Sequence, residues 1–351
     1  MKAVGFSRFG GPEVLEIVDL PEPHPGPGEV RIAVRAAGLN ASDWKKRQGL
    51  LDQELPQTMG YEAAGIVDEV GEGVTGVAVG DRVFGFTAAS GAQAELAVLS
   101  CYAPIPPSLG FAEAAALPAA IETAARALDQ LGVESGATVL INGASGTVGS
   151  AAVQLAVARG ARVIGTGSPA RHDFLRSLGA DPVAYGAGLA EWSRSEVCRG
   201  SRRPRFPLAA RPEDPSTTPV RESPGRTPSG NLDPPNTPEG LPIATTDRVG
   251  AVDLALDVAG SGVLPELIAL AGGPEHVLTI ADFAGAQRHG VRFSRGDAGR
   301  ALYVVAEIGE LIESGRFSLP VGQTFPLTEV AEAHRVGEAG RVRGKLVLLN
   351  D

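Results

Sequence analysis

The stretch TVLINGASGTVGSAAVQLAVARG, residues 138–160, decides how the rest of the chain is read. Val139 to Asn142 form a short apolar run bounded by Gly136 and Gly143, the signature of a buried strand. Glycines follow at 143, 146 and 149. A helical pattern then begins, with Val148, Ala151, Ala152, Leu155 and Ala156 recurring at three and four, and it stops at Gly160. A second apolar strand covers Arg162 to Thr166. Strand, glycine turn, helix and strand are the context in which such glycines bind a dinucleotide. They permit the tight turn, let the backbone approach a pyrophosphate, and turn the helix N-terminal amides toward the phosphates. The expected cofactor contacts are therefore Gly143, Ala144, Ser145, Gly146, Thr147, Val148 and Gly149.

The end of the second strand bears on which dinucleotide is held. An NAD site places an acidic residue about 20 residues past the first glycines, where it binds the ribose hydroxyls. Here the chain reads Gly165-Thr166-Gly167-Ser168-Pro169-Ala170-Arg171-His172, and no carboxylate occurs before Asp173. Ser168 can donate to a phosphate and Arg171 can offer a charged fork, so NADPH is expected.

The chain has 351 residues, enough for two domains. With 31 basic and 41 acidic side chains, net −10, neither nucleic acid nor an anionic membrane is the expected partner. Two cysteines, Cys101 and Cys198, cannot make a disulfide framework or a cysteine-rich zinc site. The opening MKAVGFSRFGGPEVL lacks a long apolar core, and no apolar run is long enough for a membrane helix. A cytoplasmic protein is the expectation.

Residues 1–100 carry short strand-like segments between glycines and prolines: Lys2–Phe6, Leu15–Val18, Glu29–Ala37, Ala63–Val70, Arg82–Phe86 and Ala92–Leu99. A mostly β module thus precedes the dinucleotide module. Several stretches then resemble the zinc-independent quinone oxidoreductase branch of the medium-chain dehydrogenase/reductase superfamily. They are AAGLNASDWKKRQG (36–49), MGYEAAGIVDEVGEGVTGVAVGDRVFG (59–85), LPAAIETAARAL (117–128), INGASGTVG (141–149), RHDFLRSLGAD (171–181) and GKLVL (344–348). The resemblance implies an α/β fold, a Rossmann doubly wound parallel sheet with a mostly β, GroES-like N-terminal substrate domain. It also implies domains at 1–118 and 119–290, with 291–351 supplying the last Rossmann strand, a helix and the return to the first domain. A homodimer joined through the strand near Val291–Ser294 belongs to the same expectation.

Zinc-dependent relatives carry a cysteine ligand near Asn40 and a histidine where Tyr61 precedes Glu62. Neither is present, and none of the five histidines has metal-pair spacing, so no metal is expected. Stabilisation of a substrate oxygen must then come from hydrogen-bond donors, for which the candidates are Asn40, Lys45 and Tyr61. The neighbouring lysine, Lys46, leaves open which of the two is merely solvated. Leu50 stands where some quinone reductases carry a tyrosine, so the resemblance does not carry their quinone preference over directly. By resemblance Thr123 lies near the nicotinamide, Tyr185 near the adenosine phosphate, and Val258 and Phe283 at the cleft.

The expected reaction is NADPH-dependent hydride transfer to a quinone, an enone or a related carbonyl. A non-catalytic or inactivated NADPH-binding member and, less well supported, a secondary-alcohol dehydrogenase are the alternatives. Residues 191–248 break the pattern: eleven of the 27 prolines fall between Pro204 and Pro242, with little apolar periodicity. Such composition reads as a solvated insertion in the crossover or as a retained non-coding segment. The strand pattern resumes at Val252-Asp253-Leu254-Ala255-Leu256-Asp257-Val258.

Overall fold

A computed structural model describes residues 1–186, 189, 192, 251–296 and 299–350. Apart from Trp192, the proline-rich stretch 191–248 lies outside the described residues.

Around the glycine turn the local reading translates into a parallel sheet. Strand β8 (Thr138–Asn142) leads through the turn into helix α4 (Thr147–Ala158) and on to β9 (Arg162–Gly167). After the short α5 (His172–Ser177) comes β10 (Ala180–Ala184), and the chain returns as β11 (Leu254–Asp257), β12 (Val277–Thr279) and β13 (Arg292–Phe293). The strand order is β10-β9-β8-β11-β12-β13, parallel throughout, so the order reverses between β8 and β11. Ligands bind open α/β sheets at that reversal, outside the carboxyl ends of the strands. One face is covered by α3 (Pro118–Leu131), α4 and α8 (Tyr303–Glu313), and the other by α6 (Leu264–Ala271) and α7 (Phe283–His289). Alanines at 120, 124 and 127 of α3 and at 151, 152 and 156 of α4 are fully buried. Their small side chains let the helices lie close to one another and to the sheet.

The preceding residues build an antiparallel unit. Strands β3 (Val30–Leu39), β5 (Glu62–Val70), β6 (Arg82–Thr87) and β7 (Leu96–Pro104) pair in sequence, and β3 also pairs with β7, closing a small barrel. A three-stranded sheet, β2-β1-β4, is made by Glu16–Asp19, Lys2–Phe6 and Gln57–Thr58. Late in the chain, β14 (Val321–Pro326) and β15 (Lys345–Leu349) join this unit, with β15 antiparallel to β3. Between them lies α9 (Val330–Ala339). One apolar cluster runs from Phe84 and Phe86 of the barrel through α2 (Phe111–Ala115) and α3 to Ile141 and Val163 of the parallel sheet. The two halves therefore share a core.

The strand expected at Ala92–Leu99 begins later and runs further, Leu96–Pro104. Ala92 and Ala94 are buried, but Gln93 bonds through its backbone to Val4 and Met59 instead of joining that ladder.

Candidate active site

The glycine turn is fixed from below by a buried polar network at the sheet's reversal point. Asn142 Nδ2 donates to Asp257 Oδ1 at 3.0 Å, and Thr166 Oγ1 donates to Asn142 Oδ1 at 2.8 Å. The Gly143 amide donates to Thr166 Oγ1 (3.0 Å), while Thr279 Oγ1 donates to Asp257 Oδ2 (2.8 Å). The amides of Ala259 and Gly260 also donate to Asp257 Oδ1. Four adjacent strand ends are thus tied together with every bond directed, which holds the turn rigid. Asn142, Thr166, Asp257 and Thr279 carry no motif of their own, so the sequence reading passed over them.

The glycines fit a dinucleotide for separable reasons. Gly143 has φ +81, and a Cβ there would meet Ala259 Cβ at 2.9 Å. At Gly149 a Cβ would sit 2.2 Å from the Gly143 carbonyl oxygen, so only glycine allows the helix so near the strand. Gly146 meets nothing closer than 3.5 Å, leaving its outer side open to a cleft. That cleft, about 570 Å³, is lined by Gly143, Ser145, Gly146, Thr147 and Val148 on one side. Asn40, Trp44, Lys45, Val258, Ile280 and Lys345 form other walls. The first amides of α4 have no intrahelical acceptor, and they open here. Ala144 is fully buried, its amide spent on the Thr166 carbonyl.

Continuing from Ser145, Gly146 and Thr147, a smaller pocket of about 250 Å³ is lined by Ser150, Arg171, Phe174 and Arg343. Burial and then the nearby Arg343 cation push the Arg171 guanidinium below its ordinary range. No hydrogen bond or ion pair engages either guanidinium among the described residues. Two like charges converging without a counter-ion favour an anion between them. The first carboxylate after β9, Asp173, turns away to pair with Arg176 at 2.7 Å. Ser168 precedes the turn before α5 without capping it through its side chain and does not line this pocket, and Tyr185 lies 62% exposed outside it. Phe283 is not at the cleft either. It is 49% exposed and packs edge-on against Phe293, leaving Ile280 and Ala281 to form that wall.

Helix α1 (Ala41–Arg47) divides the cofactor cleft from a second chamber of about 340 Å³. Ala41, Trp44 and Lys45 face the cleft, whereas Ser42, Asp43 and Lys46 face the chamber. On the opposite side α3 presents Ala120 to the cleft and Ala119, Glu122, Thr123 and Arg126 to the chamber. Tyr61 and Phe86 complete the chamber, rings nearly parallel (7°) with centroids 6.2 Å apart. Tyr61 Oη shares a 2.9 Å hydrogen bond with Ser42 Oγ. Burial, then the nearby Glu62 carboxylate, holds the phenol well above its usual pKa, so it stays protonated.

Of the two lysines, exposed Lys45 lines the cleft. Lys46 is half-buried, donating to the Thr58 carbonyl (2.8 Å) and Ser90 Oγ (2.9 Å), and burial lowers its pKa. Asn40 donates to Glu62 Oε1 (2.7 Å) and accepts from Lys345 Nζ. Glu62 is fully buried, 2.7 Å from Lys345 Nζ, and accepts from the Ala119 amide at the start of α3 (2.6 Å). Asn40, Glu62 and Lys345 thus bind β3, β5, β15 and α3 into one frame beneath the site. Lys345 was invisible as a site residue because its partner lies 283 positions earlier.

The chain matches the family described as Alcohol dehydrogenase GroES-like domain over residues 26–124, and Zinc-binding dehydrogenase over 242–348. It is 33% identical over 362 aligned residues to a quinone oxidoreductase of Pseudomonas aeruginosa, covering 99% of both chains. The chain belongs to the quinone oxidoreductase group of the medium-chain dehydrogenase/reductase superfamily. Identity is 41% over 172 residues to a rat (Rattus norvegicus) quinone oxidoreductase and 38% over 197 residues to a 2-methylene-furan-3-one reductase of tomato (Solanum lycopersicum). In these two the match spans about half the relative's length, 52% and 51%. Among solved structures, a mycobacterial protein complexed with NADPH superposes with a TM-score of 0.73 at 25% identity, covering 100% of both chains.

Zinc, implied by the name of the second matched family, finds no fitting donor set among the described residues. Among the described residues no group of three or more His, Cys, Asp or Glu side chains could hold a metal ion. Nor is any helix among them long and apolar enough to cross a membrane.

Proposed function

We propose that this chain is a metal-independent, NADPH-dependent reductase of quinones or activated alkenes such as enones. The observation that carries the reading is the shared wall. Helices α1 and α3 each offer one face to the dinucleotide cleft and another to the chamber containing Tyr61. A nicotinamide reaching from the cleft past α1 toward α3 would present its hydride to an electrophile bound in the chamber. When bound, the reduced nicotinamide supplies the hydride. Gly143, Gly146 and the first turn of α4 would hold its pyrophosphate, with Val258 and Ile280 against the apolar faces. Arg171 and Arg343 would take the 2′-phosphate, the group that separates NADPH from NADH.

The protein's own chemistry is then confined to the substrate oxygen, where negative charge develops as hydride adds to the conjugated carbon. Tyr61 holds a proton at Oη, oriented by Ser42, and donates it to that oxygen. Thr123, on the chamber side of α3, and Lys45, on the cleft side of α1, position the reactants. Asn40 acts through Glu62 and Lys345, as a positioning residue. The neighbouring NADPH complex and the similarity to quinone and furanone reductases support this reading. The homodimer expected of the family belongs to the same proposal, with β13 as the edge strand available for pairing.

Tyr61→Phe is the direct test. Removing a positioned general acid costs on the order of 100-fold or more in kcat. NADPH affinity, measured by fluorescence titration, should stay within twofold. Unchanged kcat in Tyr61→Phe would remove the residue from the chemistry.

A further inference from the structure

The chamber beside Tyr61 carries a positive charge with no counter-charge among the described residues. Besides Tyr61, its ionisable lining residues are Asp43, Lys46, Glu122, Arg126 and Arg300. Arg126 is buried against Glu122, Nε to Oε1 at 2.9 Å, so that pair is neutral overall. Lys46 is taken up by the Thr58 carbonyl and Ser90 Oγ, and buried Asp43 by the Asn40 amide. Arg300 is left over. No hydrogen bond or ion pair engages it among the described residues.

Its position is nevertheless defined. The next amide, Ala301 N, donates to Glu122 Oε1 at 3.2 Å, which fastens the segment to α3. The Arg300 guanidinium lies 4.1 Å from the centroid of Phe86, itself buried and parallel to Tyr61. A guanidinium held over a ring face by this contact can still fork its N–H groups onto an oxyanion. A second polar group waits in the same wall: Thr87 Oγ1 is buried and without a hydrogen-bond partner. Buried polar atoms are normally satisfied, so an unpaired hydroxyl in a binding chamber points to a ligand atom. Leu51, Phe86, Ala88, Ala89 and Ala119 supply the chamber's apolar lining, beside the hydroxyls of Ser42, Ser90 and Thr123.

We propose that the substrate carries a carboxylate next to its apolar, conjugated body, and that Arg300, assisted by Thr87, selects for that group. The inference rests on reading this chamber as the substrate site. It names the substrate class more narrowly than the family resemblance does.

The probe is an acyclic enone with a terminal carboxylate, compared with its methyl ester, which keeps the electrophile and removes the charge. Full-length protein should show a kcat/KM about tenfold higher for the acid, falling toward the ester's value as salt rises. In Arg300→Gln the acid-to-ester ratio should drop to near one. In Arg300→Lys, which keeps the charge and loses the planar fork, it should remain above that of the glutamine variant. A wild-type ratio of one or below, or a ratio unchanged by Arg300→Gln, overturns the proposal. A second arm needs no turnover: calorimetric binding of the saturated acid and saturated ester to the NADP⁺-loaded protein. If neither enone is reduced yet the acid binds tighter than the ester in an Arg300-dependent way, the carboxylate site stands and the reductase reading fails. Equal binding of the two overturns the carboxylate site.

Discussion

Arg171 and Arg343 meet over one pocket although 172 positions separate them. Each guanidinium raises the cost of the other, and a phosphate between them would reverse the sign of that interaction. Arg171→Ala and Arg343→Ala should each weaken NADPH binding at least ~10-fold, given the strength of charge-assisted bonds to phosphate, and leave NADH nearly unaffected. Fluorescence titration with both cofactors checks this, and equal losses for the two would place the 2′-phosphate elsewhere. Arg171 was legible in the sequence, since it follows a strand that ends without a carboxylate. Arg343 was not, because nothing in GRVRGKLVL states that the segment folds back against the glycine turn. Asp43 makes a different residue-scale prediction. Burial raises its carboxyl to about 7, although the amide of Asn40 donates to it at 2.7 Å. A carboxyl raised in the folded state stabilises that state fully below the unfolded pKa of about 4, and the contribution is lost as pH rises toward about 7. Asp43→Asn should therefore lessen the fall in Tm across that window by at least ~2 °C. His334, pushed down to about 3 mainly by burial and then by Arg47, acts in the opposite sense: its contribution is present above about 6.5 and lost toward low pH. It is common to both proteins and cancels in the difference. Identical Tm–pH profiles would contradict the burial argument.

At the scale of elements, the alternation of apolar runs with glycine and proline was enough to place strands β1, β8 and β9 to within a residue or two. Helix α3 starts at Pro118, because a proline begins a helix readily and interrupts one badly. Short α1 escaped notice. Its seven residues, ASDWKKR, have no apolar stripe, since its two faces line two binding spaces instead of a core. The same is true of the frame under the site. Glu62 stood out only as part of a Gly-x-Glu motif, while its burial against Lys345 depends on β15 pairing with β3. Breaking a buried ion pair from one side leaves the other charge without compensation. Glu62→Gln or Lys345→Met should cost about 3–5 kcal/mol, read by chemical denaturation, and the double variant less than the sum of the two. Additive losses would mean that the two residues act separately.

For the whole molecule, the chain crosses between its halves more than once, and the apolar cluster spanning them is continuous. Gln154 of α4 is bonded both ways to the backbone of Ser318, donating to its carbonyl and accepting from its amide, each at 2.9 Å. Such ties give the cleft and the chamber fixed walls, so the geometry favours a reaction that needs orientation more than covalent help. Fold and family were readable because the glycine turn, the strand spacing and the motifs agree with one another. Substrate preference was not, since the proposed determinants, Tyr61, Phe86 with Thr87, and Arg300, come from three separate segments and form no motif. The central claim is metal-independent reduction with NADPH, and steady-state consumption of reduced nicotinamide tests it most directly. The full-length protein, treated with a strong chelator, is supplied with a quinone, an enone and the saturated analogue of that enone. The account predicts turnover of the quinone or the enone but not of the saturated compound, with kcat/KM at least ~10-fold higher for NADPH than for NADH, one phosphate-binding arginine being worth about that much. No turnover above background, or turnover that appears only when zinc is restored, would contradict it.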